Sequence, residues 1–225
     1  MFIPILYKEW IKTYRIILLF SVIIAGSIFG TFIDAKNNME FNHATSAILY
    51  ITQMGSFDFN LINDILMVFA IALGVAQFYP EVSNGRIRLF LHLPMDKLKL
   101  ISVLVFSGIL LLIVFFGIIT LFYYLILNAY YPKEVFGAIF TKLFPMFLAS
   151  LLYYLTTMLA FLEPKIIKKA LYVILAYYIL SIYKPITLSA YYVSDILNYA
   201  FLVIILIYIL TSYEVFKSYT KGYIK

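Results

Sequence analysis

LISVLVFSGILLLIVFFGIITLFYYLILNAYYP, residues 100–132, contains no charged side chain. The run lies between Lys99 and Lys133. As helix it extends about 50 Å at 1.5 Å per residue, more than the roughly 30 Å of bilayer hydrocarbon. Backbone in hydrocarbon must satisfy its own hydrogen bonds, which makes such a run helical. The rest of the chain agrees with it. Of 225 residues 64% are hydrophobic and 12% charged, with mean hydropathy +0.99, about half the charge of a soluble domain. The charges fall in short clusters between uncharged runs. The composition therefore defines an all-α integral membrane protein, with a single transmembrane domain over 1–225.

Six spans are expected, at about 16–34, 61–80, 98–128, 142–162, 168–184 and 196–213. Pro80, Pro94, Pro132, Pro164 and Pro185 fall at span ends or in loops, and Pro145 falls in the first turn of its span, where a missing N–H does least harm. Thirteen of the 17 Lys and Arg lie on one side. They are Lys8, Lys12 and Arg15, then Arg86, Arg88, Lys97 and Lys99, then Lys165, Lys168 and Lys169, then Lys217, Lys221 and Lys225. Only Lys36, Lys133, Lys142 and Lys184 lie on the other. The positive-inside rule then places both termini in the cytoplasm.

Lys8, Lys12 and Arg15 recur at spacings of four and three and form one basic helical face. Ile3, Leu6, Tyr7, Trp10 and Tyr14 form an apolar one. Residues 1–15 read as an amphipathic helix lying in the headgroup region, with Lys8, Trp10, Lys12 and Arg15 against membrane lipid. The alternative is that this segment merely extends span one. No A-x-A-like cleavage site follows, so the segment reads as a signal anchor. Span three is long enough to require tilt or projection. Span five is short, with fourteen uncharged residues between Lys169 and Lys184, or about 21 Å. A short outer re-entrant element is expected over 185–195.

Several chemistries are excluded. There is no cysteine, hence no disulfide or thiolate site. His43 and His92 lie far apart, outside any ligand pattern. No two glycines stand five apart, so G-x-x-x-x-G-K-[ST] is impossible and the chain cannot hydrolyse ATP by that route. No H-E-x-x-H, G-x-S-x-G or paired-carboxylate arrangement occurs, and no catalytic, metal or cofactor residue is assigned. The basic pI comes without an aromatic–basic nucleic-acid motif. Asp64 and Asp195 stand at the starts of spans two and six, where carboxylates complement a helix dipole. Tyr123, Tyr124, Tyr130, Tyr131, Tyr183, Tyr191 and Tyr192 are expected in an outer aromatic belt. Tyr153 and Tyr154 fall mid-span and are expected to pack between helices. Gly26 and Gly30 form a G-x-x-x-G, a candidate dimer interface or a site of packing within the chain.

The basic connection between spans two and three reads Glu81-Val-Ser-Asn-Gly85-Arg-Ile-Arg-Leu-Phe-Leu-His-Leu-Pro94. Gly85 can break the end of span two, and Pro94 stops a short helix. Arg86 and Arg88 face either lipid phosphates or a protein partner, with Leu89, Phe90, Leu91 and Leu93 supplying apolar contacts. This arrangement resembles the ABC-2 type permease family, the membrane subunits of ATP-driven exporters. The matching features are an acidic residue (Glu81), a glycine four positions on (Gly85), and a leucine-rich turn ending in Leu93-Pro94. The family's amphipathic N-terminal helix, six spans and re-entrant segment before the last span match as well. Arg86-Ile-Arg88 and Met95-Asp96-Lys97 depart from the family pattern.

The resemblance implies a type V ABC exporter-like fold in a prokaryotic inner membrane. It implies dimerisation with a second copy or a paralogue, and ATP bound only by separate ABC ATPase subunits. Residues 81–97 become the coupling hairpin, with Glu81, Asn84, Gly85, Arg86, Arg88, Leu89, His92, Leu93 and Pro94 at the ATPase. The cargo expected is lipidic, amphiphilic or a hydrophobic peptide. A haem-exporter B-type subunit and a non-transporting scaffold or assembly factor are the alternatives, and an ion-coupled carrier resting on Asp64 or Asp195 is a third class.

Overall fold

The computed structural model describes residues 2–41, 60–83, 97–130, 133–189 and 195–220, and within these all but 163–165 are helical. The helices are α1 (Phe2–Phe41), α2 (Asn60–Ser83), α3 (Lys97–Tyr130), α4 (Lys133–Leu162), α5 (Ile166–Ser189) and α6 (Asp195–Thr220). Five carry stretches long and apolar enough to cross a membrane: Leu6–Ile33, Leu61–Ser83, Ser102–Ile126, Leu143–Leu162 and Asn198–Lys217. The protein is a multi-pass helical bundle.

α4 is the centre. It packs against α2, α3, α5 and α6, whereas α1 packs against α2 and α3. Accordingly 78% of α4's span is buried, against 17% of α1's. The α4 side chains Leu143, Leu152, Leu155, Met158 and Leu159 are fully enclosed. Facing them are Leu66, Phe69 and Leu73 of α2 and Leu104, Leu112 and Ile119 of α3. Phe69 lies 5.2 Å from the Phe20 ring and 4.3 Å from Phe115, joining α1, α2 and α3. Phe116 stacks on Phe147 at 4.5 Å and joins α3 to α4. The outward faces are equally apolar, with Leu18, Val22 and Phe29 on α1 and Leu206 and Leu210 on α6 exposed. Apolar residues on both sides of a helix are what a bilayer solvent requires.

Several boundaries differ from those expected. α1 is one unbroken helix, so residues 2–15 run into the first span without a break. Nothing between Pro4, in the first turn, and Phe41 breaks it. α4 begins at Lys133, nine residues before the expected start, which puts Pro145 inside the helix. The reason is that hydropathy marks where lipid begins, while the polar turn Lys133-Glu134 can be helical in water. Pro80 likewise lies inside α2, which continues to Ser83. α5 runs to Ser189 without stopping at Lys184. The first part of the expected re-entrant element is therefore ordinary helix, and residues 190–194 lie outside the described residues. α4 and α5 are joined by Glu163–Lys165, where Glu163 is buried and its Oε1 accepts from the Lys165 N–H at 3.4 Å.

Close approach of α2 to α4 depends on Gly74. A Cβ there would meet Thr157 Cβ at 3.0 Å and Cγ2 at 3.1 Å, whereas among the described residues nothing lies within 4 Å of a Cβ at Gly26. Gly74→Ala is expected to cost about 1–3 kcal/mol through overpacking, while Gly26→Ala leaves stability unchanged or slightly raised. Thermal midpoints of the two purified variants in mild detergent check this. Equal midpoints would mean that the two helices are not held at this separation.

Candidate functional site

A polar network runs through the apolar bundle and touches four helices. It begins in the last turn of α2 with Glu81, whose side chain is only 3% exposed. Glu81 Oε1 accepts from Lys8 Nζ at 2.8 Å and from Lys12 Nζ, both on α1. Lys12 Nζ also donates to Glu9 Oε1 at 2.8 Å. Glu9 is itself buried, and its backbone carbonyl accepts from the Thr13 hydroxyl at 2.9 Å. The spacing explains the arrangement. Lys8 and Lys12 are four apart, so both ammonium groups reach one carboxylate. Glu9 lies beside Lys8 and Lys12 on the face turned toward α2.

One turn back along α2 is Gln77, with every part of its amide engaged. Nε2 donates to the Leu104 carbonyl at 2.7 Å and to Ser107 Oγ at 2.9 Å, both on α3. Oε1 accepts from the Tyr154 hydroxyl of α4 at 2.8 Å. Gln77, Ser107 and Tyr154 are all buried. Gly108 makes room for this junction, since a Cβ there would overlap the Tyr154 hydroxyl and lie 2.7 Å from Gln77 Oε1. Buried polar groups in hydrocarbon must be paired, and most of these are. Two oxygens are not. Glu9 Oε2 and Glu81 Oε2 are buried and accept no hydrogen bond among the described residues.

The network carries two positive and two negative side chains that balance. Removing Lys12, the cation bonded to both carboxylates, leaves uncompensated charge in low dielectric. Gln77 and Glu81 lie on successive turns of one helix, and through them the end of α2 is bonded to α1, α3 and α4.

Of the residues singled out in the sequence, Glu81 is central to this network. Asn84, Gly85, Arg86, Arg88, Leu89, His92, Leu93 and Pro94 lie outside the described residues. Lys8 and Lys12 pair with Glu81, a partner that the sequence did not give them. Trp10 and Arg15 are exposed. A Cβ at Gly26 or Gly30 would meet nothing within 4 Å among the described residues. Tyr154 packs between helices as expected and also hydrogen-bonds there. Tyr123 belongs to the core, 1% exposed, and not to an aromatic belt; Tyr124 is exposed. Asp64 is exposed, in the second turn of α2, with Asn63 Nδ2 donating to its Oδ1 at 3.4 Å.

Glu9, Gln77 and Ser107 were not singled out in the sequence. A signal for two of them existed. Glu9 is an acid next to Lys8 and at helical spacing from Lys12, and Gln77 is an amide inside an otherwise apolar span, one turn before Glu81. Ser107 carries no such signal. Among the described residues no group of three His, Asp or Glu side chains is placed to hold a metal ion.

The fold and this site define a multi-pass membrane protein with a charged network buried in its bundle. The chain matches no family model, no curated protein and no solved structure.

Proposed function

We propose that the chain is the permease subunit of an ABC-2 type exporter. On this reading it sits in a prokaryotic inner membrane with both termini in the cytoplasm. It pairs with a second copy or a paralogue through α1 at Gly26 and Gly30, and is driven by separate ATPase subunits. The hairpin pattern Glu81, Gly85, Leu93-Pro94 and the charge bias support the reading. The observation that carries it is the position of Glu81. The residue that opens the connection to α3 is buried, ion-paired to α1, and one helical turn from the junction with α3 and α4. A push on residues 84–96 by an ATPase is thereby passed into the bundle. The apolar walls suit a lipidic, amphiphilic or peptide cargo.

The test is purification of the tagged chain from its native membrane, followed by reconstitution with the P-loop ATPase that accompanies it. Deleting residues 84–93, or making Gly85→Asp, is expected to lower substrate-stimulated ATP hydrolysis at least tenfold while the complex stays assembled. Unchanged stimulation removes the role given to the hairpin. If no stoichiometric ATPase accompanies the chain, the scaffold reading takes its place.

One observation favours an ion-coupled carrier as the second reading, namely the buried carboxylates of Glu9 and Glu81 with an unpaired oxygen each. That reading moves the essential acids from Asp64 or Asp195 to Glu9 and Glu81. It requires gradient-driven uptake into proteoliposomes without ATP, lost in Glu81→Gln.

A further inference from the structure

α1 and α3 pack closely only along part of their length. Between them lies a groove of about 540 Å³ whose walls include Ile17, Ile28 and Phe32 of α1 and Phe115, Phe122 and Ile126 of α3. Its polar lining residue, Ser21, donates its hydroxyl to the Leu18 carbonyl at 2.7 Å, inside its own helix. The groove thus offers hydrocarbon contact and no free hydrogen-bonding group of its own. From Ile17 to Phe32 it follows about 22 Å of helix, more than the roughly 15 Å occupied by the tails of one leaflet. An acyl chain seated there runs the depth of its leaflet.

The N-terminal end of the groove is chemically different. Tyr14 lies one turn before Ile17 on the same face of α1, and Trp10 one turn before that, both exposed. Aromatic side chains with a polar tip take the headgroup level. Arg15 is drawn onto Tyr14, with Nε donating to the phenol oxygen at 3.1 Å and Cζ 5.8 Å from the ring centroid. Lys8 and Lys12 are held by Glu81. Arg15 pairs with no carboxylate among the described residues, and its Nη donors there are unengaged. An exposed guanidinium drawn onto Tyr14, itself one turn before the groove, complements a phosphate on a lipid chain.

We propose that the α1–α3 groove holds one acyl chain of an anionic phospholipid whose phosphate is bound by Arg15. The site stands apart from the transport reading, since it needs neither an ATPase nor a cargo.

The test is native mass spectrometry of the full-length chain, delipidated in mild detergent and titrated with dioleoyl phosphatidylglycerol or dioleoyl phosphatidylcholine. The tails are identical, so the comparison isolates the headgroup. Wild type is expected to retain one phosphatidylglycerol with at least tenfold preference. Arg15→Gln is expected to bring that preference to near one, and Arg15→Lys to restore part of it. Ala25→Trp, which fills the groove from an exposed position, is expected to lose tightly held lipid of both kinds while keeping the wild-type thermal midpoint. Equal retention of the two lipids by wild type overturns the proposal. So does efficient disulfide crosslinking of two Phe122→Cys chains, on the exposed α3 wall away from Gly26 and Gly30, because a second copy would then cover the groove. The chain has no cysteine of its own, so the crosslink is unambiguous.

Discussion

Lys12→Met is expected to destabilise the bundle more than any other single change in the charged network, by about 3–5 kcal/mol, the usual cost of orphaning buried charge. The reason is geometric. Lys12 is the cation shared by both carboxylates, 2.8 Å from Glu9 and bonded also to Glu81, with its side chain 13% exposed. Without it Glu9 loses the partner on its bonded oxygen, and two buried carboxylates are left with Lys8 alone. Lys8 is a weaker member. Its side chain is 39% exposed, so Lys8→Met is expected to cost less than about 1 kcal/mol. Adding Glu9→Gln to Lys12→Met should recover a substantial part of the loss, since it removes the charge that Lys12 neutralised. Unfolding midpoints in a detergent-denaturant titration rank the variants. Equal losses for Lys8→Met and Lys12→Met would show that water reaches the cluster freely and that it is no buried network.

The same cluster shows where sequence reasoning succeeds and where it stops. That the chain is helical and multi-pass was legible because residues 100–132 lack charge, and hydrocarbon leaves the backbone few alternatives. Which way α1 turns was not. Lys8, Lys12 and Arg15 share a stripe, and a stripe of cations at a span end reads equally as facing phosphates or facing acids. Only the partner helix decides. Glu81, 69 residues from Lys12 in the chain, lies within reach because α1 packs on α2, and pairing over that separation leaves no local periodicity. The start of α4 was misplaced for a different reason. Hydropathy is interrupted by the charges at Lys133, Glu134 and Lys142, and the helix runs through them. Tyr154 was expected to pack mid-span, but its hydrogen bond required Gln77, on a helix 77 residues away in sequence.

Gly108→Ala is expected to disrupt the neutral half of the network, with a loss of about 3–5 kcal/mol from overpacking and an unpaired buried amide together. A methyl at position 108 occupies the place of the Tyr154 hydroxyl and presses on Gln77 Oε1 at 2.7 Å. Tyr154 is fully enclosed, so its ring cannot swing aside, and α3 must withdraw from α2 and α4. Tyr154→Phe alone is the milder change, because it only leaves Gln77 Oε1 without its donor, at about 1–3 kcal/mol. It does not rescue Gly108→Ala, since the ring edge also overlaps the added methyl. Tyr154→Leu does relieve that overlap. The double variant Gly108→Ala/Tyr154→Leu is therefore expected to lose less than the sum of its single changes, a coupling of at least about 1 kcal/mol. Strict additivity in the same unfolding assay would mean that residue 108 and the Tyr154 side chain do not meet. The cycle also separates packing from coupling to a cytoplasmic partner. On the export reading the double variant, although its loss falls below the sum, still lacks the bond from Gln77 to α4, so transmission from residue 81 should stay impaired beyond what its stability accounts for.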